Sequence, residues 1–244
     1  MKQGIFTIIE NQRLTETVFR MVLAGDTSAV TAAGQFVNVA LDGKYLRRPI
    51  SVCDLDGDRL TLVYKIVGGG TAQMAGLPAG AKLDLLTGLG NGYDTLKSGS
   101  RPVLLGGGVG VPPLYLLARR LMKEGKRPSV VLGFNTASEV FYEKEFRALG
   151  CDVAVTTVDG SRGKKGFVTD ALPADYDYFF TCGPEPMLKA VWRTARTSGQ
   201  FSFEERMGCG FGACMGCSCK TVTGYKRICR DGPVLEKEEI LWEA

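Results

Sequence analysis

Histidine is absent from this sequence of 244 residues. Because histidine is the side chain whose unperturbed pKa lies closest to neutrality, its absence removes the usual acid–base catalyst. It also excludes Rieske clusters and zinc sites that use an imidazole ligand. Chemistry must therefore come from bound cofactors. Hydride or electron transfer fits this restriction, since the protein then has only to hold and tune the redox groups.

Long apolar segments are also missing. No run approaches the ~18 apolar residues that a transmembrane helix requires. Charges scattered through the N-terminal segment exclude the apolar stretch of a signal peptide. The eight cysteines are therefore interpreted as reduced thiols rather than disulfides. We expect a soluble, cytoplasmic protein without a membrane span.

A dense basic segment is the third absence. The net charge is only +4, because 30 lysines and arginines are interspersed with 26 acidic residues. A nucleic-acid-binding surface needs basic residues gathered in a patch or stripe. Nucleic acid is therefore not expected as a partner.

Four cysteines near the C-terminus carry the strongest signal in the sequence. Their spacing is C-x4-C-x2-C-x11-C, formed by Cys209, Cys214, Cys217 and Cys229. This spacing is typical of a 2Fe-2S cluster, in which each iron takes two thiolates beside the bridging sulfides. The glycines between these cysteines allow backbone N–H groups to approach the sulfurs, which helps to set the cluster potential.

Two alternatives remain open for this cysteine motif. A structural zinc site is one, although zinc modules usually present two short cysteine pairs, and here one half of the pattern has a lone cysteine. The other is that Cys219 replaces Cys229 as the fourth ligand. Cys219 follows Cys217 by two residues, and we rank it below Cys229.

Two different patterns of hydrophobicity divide the rest of the chain. Residues 1–98 alternate apolar and polar side chains in short runs, as in residues 36–40 and 60–67, which predicts an antiparallel β-barrel. Residues 99–200 alternate apolar strands with helices, which predicts a parallel α/β domain with strands at 130–134, 152–157 and 178–181 and a helix at 139–149. Residues 201–244 form the small cysteine module.

Two turns of the α/β domain suit a nucleotide. A glycine turn at residues 106–110 lies between a strand and a helix, where backbone N–H groups can approach a pyrophosphate. A second turn, residues 182–187, follows the strand at 178–181. In the barrel, an arginine–serine segment at 47–51 and a glycine–threonine turn at 68–71 can bind a diphosphate. Individually, each could be an ordinary turn or a solvated charge.

Together these motifs resemble those of the ferredoxin-reductase-like flavoproteins, over nearly the whole chain. Arg48–Ser51 is similar to the family's flavin motif, Gly106–Leu114 to its nicotinamide-domain turn, and Cys182–Met187 to its Cys-Gly-Pro-x-Pro-Met motif. Residues 34–37 and 89–93 are also similar, with Gly88 where the family usually has proline. The resemblance implies a FAD-binding barrel, a parallel-sheet nicotinamide domain and an appended iron–sulfur module.

The C-terminal segments 204–217 and 227–234 narrow this resemblance to the electron-transfer subunits of bacterial type 1B, NAD-dependent dihydroorotate dehydrogenases. It implies FAD and a 2Fe-2S cluster in this chain, and a catalytic partner with FMN in a heterotetramer of two such pairs. Electrons would pass from dihydroorotate to NAD+ in de novo pyrimidine synthesis, and the chain alone would act as an NADH diaphorase. Rival assignments are a flavin and iron–sulfur subunit of an anaerobic sulfite reductase or hydrogenase, and a zinc-binding scaffold.

The resemblance also implies the cofactor contacts. For FAD these are Arg48, Pro49, Ile50, Ser51, Val63, Tyr64, Lys65, Ile66, Gly70 and Thr71. For the nicotinamide nucleotide they are Gly106, Gly107, Gly108, Gly110, Cys182, Gly183 and Pro184. No side chain is expected to act as catalytic acid, base or nucleophile, and Cys182 is expected near the hydride-transfer centre.

NAD is favoured over NADP because residues 133–139 contain an acid, Glu139, and no arginine for a 2′-phosphate. Cys53 and Cys151 are assigned to the core.

Overall fold

A closed antiparallel barrel forms the N-terminal part of the computed structural model, which describes residues 1–242. Its strands are β1 (Lys2–Arg13), β2 (Val18–Ala24), β3 (Phe36–Val39), β4 (Arg48–Asp56), β5 (Arg59–Lys65) and β6 (Lys82–Leu89). They pair in the order β1-β2-β5-β4-β3-β6. Between β5 and β6 lies the short helix α1 (Gly69–Ala75), so the predicted glycine–threonine turn forms the first turn of a helix.

The two faces of β3 pack against different parts of the protein, and this determines where the cysteine module lies. Val37 and Val39 are fully buried in the barrel core. Because side chains alternate along a strand, Phe36 and Asn38 point to the other face, outside the barrel. Phe36 is buried there in a small core that also contains Cys217 and Cys229. The cysteine module therefore covers the outer face of β3.

A seven-stranded sheet follows the barrel. Its strands, in spatial order, are β10 (Lys164–Lys165), β9 (Asp152–Thr157), β8 (Ser129–Phe134), β7 (Pro102–Gly107), β11 (Tyr178–Cys182), β12 (Gly199–Ser202) and β15 (Val234–Glu236). All neighbours are parallel except β12 and β15, which are antiparallel. β15 comes from the segment after the last cysteine, so the C-terminal module returns to the sheet. The predicted fold class is confirmed.

Three helices accompany this sheet: α2 (Val111–Lys123), α3 (Glu143–Ala148) and α4 (Glu185–Thr194). α2 begins directly after the glycine turn, with prolines in its first turn, where the missing N–H costs no intrahelical bond. The predicted helix at 139–149 is wrong in extent. A short 3-10 turn ends at Glu139, and Tyr142 adopts a left-handed φ of 65° before α3 begins. The buried Tyr142 ring packs against Tyr115, and this tertiary contact interrupts the helical pattern.

The C-terminal module contains a hairpin of β13 (Ser218–Thr221) and β14 (Gly224–Arg227). Asn91, in the loop after β6, links the C-terminal module to the barrel through side-chain hydrogen bonds. Its side-chain amide donates to the Val234 carbonyl at 2.7 Å, and its Oδ1 accepts from the Val234 N–H at 3.1 Å. Residues 243 and 244 of the predicted module lie outside the described residues. Among residues 1–242, no helix combines the length and apolarity needed to cross a membrane.

A bidentate ion pair between Arg47 and Asp84 links the loop before β4 to β6. Arg47 Nη1 lies 3.1 Å from Asp84 Oδ1, and Nη2 lies 2.9 Å from Oδ2. Arg47 also donates to the backbone carbonyls of Asn38 and Asp84. The guanidinium lowers the pKa of Asp84. The carboxylate is therefore stabilised in its ionised form in the folded protein.

Asp84→Asn is expected to lower the free energy of unfolding by about 1 kcal/mol at neutral pH, because the charge-assisted pair is partly exposed. Since folding depresses this pKa, the contribution is present above the ordinary value of 3.8 and is lost as pH falls through the folded value. Urea unfolding at about pH 7 and about pH 3 should show the difference shrinking at the lower pH. Asp58→Asn, at an exposed carboxylate without an ion pair among the described residues, is the control. An equal loss at both pH values would contradict the assignment.

Candidate redox site

A cleft of about 510 Å³ opens between the barrel and the carboxyl edge of the parallel sheet. The barrel contributes Lys65 at the end of β5. The sheet contributes the aligned ends of three neighbouring strands, at Gly107, Gly133 and Thr156. Nucleotides bind outside the carboxyl ends of strands in open α/β folds. The cleft therefore lies where the nicotinamide nucleotide was predicted.

The two predicted nucleotide turns meet at one side of this cleft. A Cβ atom on Gly110 would lie 2.2 Å from the Cys182 carbonyl oxygen, and one on Gly183 would lie 3.1 Å from the Gly107 backbone nitrogen. Such approaches are possible only without side chains, so glycine is required for the turns to pack together. Gly107, Gly108, Gly110, Gly183 and Pro184 line the cleft. Gly106 and Cys182, in the last residues of β7 and β11, are buried and do not line the cleft.

Thr156 supplies an independent indication of a ligand. It is fully buried, borders the cleft, and its Oγ1 has no hydrogen-bond partner among the described residues. An unsatisfied buried hydroxyl costs about 1–3 kcal/mol unless a further group pairs with it. A polar ligand in the cleft would satisfy it. The glycine turns and this hydroxyl fit a dinucleotide.

Glu139 borders the cleft from the short 3-10 turn that follows β8. Its Oε2 accepts hydrogen bonds from the Asn135 backbone N–H at 3.2 Å and from the Asn135 side chain at 3.0 Å. These bonds hold a negative charge where an acidic residue contacts the ribose in dinucleotide-binding sheets. A 2′-phosphate at this position would be repelled.

Glu139→Gln keeps the acceptor and removes the charge. We expect kcat/KM for NADPH to rise up to about tenfold, equivalent to about 1.4 kcal/mol, with little change for NADH. Steady-state rates with both nucleotides measure this ratio. Glu143→Gln is the matched control, because Glu143 pairs with Arg147 and Arg162 outside the cleft lining. An equal gain with both nucleotides would argue against charge-based selection.

Glu204 is a cleft residue for which the sequence suggested no individual role. It follows β12 by two residues and borders the cleft close to Cys182. Burial raises the pKa of the Cys182 thiol, and the Glu204 carboxylate adds to the increase. Desolvation by the surrounding protein also raises the pKa of Glu204, although the residue as a whole is exposed. In the sequence, the only signal for a role of Glu204 in the cleft is that it follows a strand of the parallel sheet.

The predicted flavin segment lies on β4, beside α1. Arg48 packs so tightly against Gly70 that a Cβ there would lie 2.2 Å from Arg48 Nε. Its guanidinium donates to the Leu46 carbonyl and forms no ion pair with any residue from 1 to 242. Thr71 is buried in the first turn of α1, where backbone N–H groups lack intrahelical partners. A guanidinium without a carboxylate partner, beside such a turn, fits a diphosphate.

Other predicted flavin contacts lie on both faces of the barrel wall. Pro49 and Ser51 pair with Asn38 and Phe36, respectively, on the outer face of the β3–β4 pair. Ile50 packs partly buried against the barrel core.

The second predicted flavin segment also alternates between faces. Lys65 reaches the cleft, whereas the Tyr64 hydroxyl donates to Asn11 at 3.0 Å and the ring packs in the core. Val63 is buried, and Ile66 lies just beyond the end of β5.

The four predicted cluster cysteines form two pairs. Backbone N–H groups of Ala213 and Cys214 donate to Cys209 Sγ at 3.2 and 3.4 Å, and the Cys209 N–H donates to Cys214 Sγ at 3.5 Å. The Cys229 N–H donates to Cys217 Sγ at 3.4 Å. Two pairs of thiols with nearby N–H donors are what a two-iron cluster needs.

Electrostatics links the two pairs. Burial raises the pKa of Cys209, but backbone N–H groups of Phe211, Cys214 and Ala213 outweigh it and lower the pKa to about 6. Burial raises the pKa of Cys229 to about 12, and the thiols of Cys217 and Cys209 contribute to the increase. Crowded thiols of this kind favour binding of a cation, which stabilises their thiolate forms.

The zinc alternative fits this arrangement less well. Within residues 1–242, no three His, Cys, Asp or Glu side chains converge around one point as a single ion requires. Two separate pairs of cysteines suit a cluster with two metal ions, each bound by one pair. Cys219, on β13, is half-buried beside the core that contains Cys217 and Cys229, but it takes no part in the N–H···S contacts that link the other four cysteines among the described residues. The cysteine set therefore fits a 2Fe-2S cluster held by Cys209, Cys214, Cys217 and Cys229.

Fold and site together define a class: a flavin- and nicotinamide-dependent oxidoreductase of ferredoxin-reductase-like architecture with an appended iron–sulfur module. Residues 204–241 match the model of the iron–sulfur cluster binding domain of dihydroorotate dehydrogenase B. Residues 104–193 match the oxidoreductase NAD-binding domain. With identities of 41% and 44% to curated members over nearly its whole length, the chain belongs to the family of dihydroorotate dehydrogenase B (NAD(+)) electron transfer subunits.

Curated relatives and solved structures support this membership. The chain is 41% identical to the subunit from Shouchella clausii, with 98% of each chain covered, and 44% identical to that from Fusobacterium nucleatum, with 96% of each covered. It also resembles a chain of the NADH-dependent reduced ferredoxin-NADP oxidoreductase, described for flavin-based electron bifurcation, with a TM-score of 0.89 and 30% identity over 98% of this chain and 90% of that one. A ferredoxin NADP+ reductase from Neisseria gonorrhoeae shares the fold, with a TM-score of 0.69 and 16% identity over 80% of this chain and 90% of that one.

These matches decide several sequence-based predictions. The two family models confirm the predictions of a 2Fe-2S cluster and of NAD. The full-length match to a flavin-dependent oxidoreductase confirms FAD. The names of the relatives favour the dihydroorotate dehydrogenase assignment over a sulfite reductase or hydrogenase subunit. The individual cofactor contacts remain predictions.

Proposed function

We propose that this chain carries electrons, in the cytoplasm, from a dihydroorotate-oxidising subunit to NAD+ in de novo pyrimidine synthesis. Its partner would be an FMN-containing catalytic subunit in a heterotetramer of two such pairs. The observation that carries this proposal is the meeting of three sites around one side of the barrel. The nicotinamide cleft and the flavin segment adjoin β4 and β5, and the buried cysteine pair packs on the outer face of β3.

The chain's own residues would hold and separate the redox groups. Arg48 and the first turn of α1 would bind the flavin diphosphate, and Ser51 would adjoin the flavin ring. The glycine turns at Gly107 and Gly183 would allow the nicotinamide nucleotide to lie against bare backbone. When bound, FAD supplies the conversion between hydride transfer and single-electron transfer. No side chain of this chain is assigned a role in dihydroorotate chemistry.

The burial of the cysteines supports a direction for the electron path. Cys217 and Cys229 are each only 2% exposed and pack against Phe36 of β3. In the other pair, Cys214 is exposed and Cys209 is partly so. The exposed apolar residues Phe211 and Met215 flank this outer pair. The outer pair would therefore face the catalytic partner, and the inner pair would face the flavin.

The test begins with visible absorption and EPR spectra of the anaerobically purified chain, before and after addition of NADH. Flavin bands that bleach with NADH and a reduced-cluster EPR signal are the expected result. Co-expression with a dihydroorotate-oxidising subunit should then produce a stable complex with dihydroorotate-dependent NAD+ reduction. A colourless, zinc-containing chain would overturn the electron-transfer proposal. A redox-active chain that fails to bind this partner would overturn only the choice of partner.

A further inference from the structure

Asn38 occupies a position that the activity described above does not explain. It lies on β3, is 1% exposed, and points to the outer face, where the cysteine module packs. Opposite it on β4 is Pro49 of the predicted flavin segment. Asn38 therefore stands between the flavin strand and the cluster loop, defined here as residues 208–217.

The side chain of Asn38 contacts the backbone of a cluster ligand. Its Nδ2 donates to the Cys209 carbonyl at 3.3 Å. The next residue, Gly210, has a φ of 76°, and a Cβ on it would lie 1.9 Å from Asn38 Nδ2. Glycine is needed at this position both for the left-handed backbone and for the approach of the amide. The barrel thus holds the peptide that starts the cluster loop.

The other polar atom of this amide has no partner. Asn38 Oδ1 is buried and accepts no hydrogen bond from any residue between 1 and 242. A buried acceptor of this kind costs about 1–3 kcal/mol when it is left unpaired. An apolar side chain would avoid that cost at a strand position facing a hydrophobic core. Stability alone therefore does not account for asparagine here.

We propose that Asn38 is a positioning residue that sets the environment of the iron–sulfur cluster through the Cys209 carbonyl. The peptides that follow this carbonyl in the loop supply the Ala213 and Cys214 N–H groups that donate to Cys209 Sγ. Hydrogen bonds to a ligating sulfur tune the cluster potential. Fixing the carbonyl holds the donors in place and holds the cluster loop against the flavin strand. This inference rests on the proposed function, because it requires the cluster to be present.

Two variants separate this role from a structural one. Asn38→Val removes the amide at small cost in volume and suits a strand. Asn38→Asp keeps the shape, removes the donor and adds a negative charge. Thr87→Val is the matched control, since Thr87 is equally buried in the barrel and its side chain likewise donates to a backbone carbonyl, that of Lys2, at 3.2 Å.

The experiment is a redox titration of the cluster by EPR in the full-length chain, together with stopped-flow measurement of cluster reduction after NADH addition. Asn38→Asp is expected to disfavour cluster reduction at least tenfold, which is about 59 mV for one electron. Asn38→Val is expected to retain or raise the unfolding temperature while slowing cluster reduction at least tenfold relative to flavin reduction. Thr87→Val should leave both quantities unchanged.

Several outcomes would overturn the proposal. Potentials and transfer rates of both Asn38 variants within twofold of the parent would do so. Equal loss of the cluster from both Asn38 variants, together with a lowered unfolding temperature, would show a purely structural role. Loss of the cluster only from Asn38→Asp supports the proposal, because it shows that the loop tolerates an apolar residue but not a charge. A parent protein without the cluster signal would instead count against the proposed function.

Discussion

Cys229→Ala is expected to abolish the reduced-cluster EPR signal and to lower dihydroorotate-dependent NAD+ reduction by the complex more than about 100-fold. Cys229 is 2% exposed and its backbone N–H bonds to the other buried thiol, Cys217. Removing it would leave one iron of a bound cluster with Cys217 as its single protein thiolate. Because the residues assigned to flavin and nucleotide binding lie on β4, β5, α1 and the sheet edge, outside the cysteine module, NADH oxidation by the flavin with ferricyanide as the oxidant should persist.

The matched control for this prediction is Cys219→Ala. Cys219 lies within the same module but pairs across the hairpin with Lys226. Its variant should keep the cluster signal and the coupled activity. Iron content, EPR and both activities are measured on the same preparations. A cluster retained in Cys229→Ala and lost in Cys219→Ala would reverse the assignment of the fourth ligand.

Gly110→Ala is expected to lower kcat/KM for NADH about 100-fold, equivalent to about 2.7 kcal/mol, without loss of flavin or cluster. Gly110 has a φ of −78°, so alanine suits its backbone conformation. The cost comes from the new Cβ, which would lie 2.2 Å from the Cys182 carbonyl oxygen and 2.5 Å from the Gly183 nitrogen. Both are backbone atoms, so the two nucleotide turns must move apart.

Gly76→Ala provides the control with the same backbone conformation. Gly76 has a φ of −86°, and a Cβ there would meet its nearest atom at 3.6 Å, an ordinary contact. Flavin reduction by NADH, followed by stopped-flow absorbance, should be slow in Gly110→Ala and unchanged in Gly76→Ala. Normal reduction in Gly110→Ala would mean that the nucleotide does not depend on these turns.

Much of the fold could be predicted from local patterns in the sequence. Apolar residues of period two indicated the barrel, and the strand predicted at 152–157 coincides with β9. Such patterns are local, because a strand with one buried face must alternate its side chains. The helix predicted at 139–149 failed where the packing of Tyr142 imposed a left-handed residue. Propensity is a weak guide where tertiary contacts compete with it.

The functional sites also contain some residues that the sequence predicts and others that only the structure reveals. The spacing of Cys209, Cys214, Cys217 and Cys229 indicated a cluster, because ligand spacing is recorded along the chain. Thr156 and Asn38 belong to no motif, and the segment that contains Glu204 suggested no individual role for it. Each of the three acquires significance only from neighbours distant in sequence. The pairing of β15 with β12 was equally invisible, since strand partners are chosen by packing.

The sequence by itself determined the classes of cofactor and the two principal architectures, because cysteine spacing, glycine turns and hydrophobic period are local properties. The tertiary structure alone decided where those parts meet. It placed the cleft between Lys65 and the sheet edge, packed the inner cysteine pair on Phe36, and brought Asn38 to the Cys209 carbonyl, 171 residues away along the chain. Such contacts depend on burial of surfaces that are distant in sequence, and no local pattern encodes them.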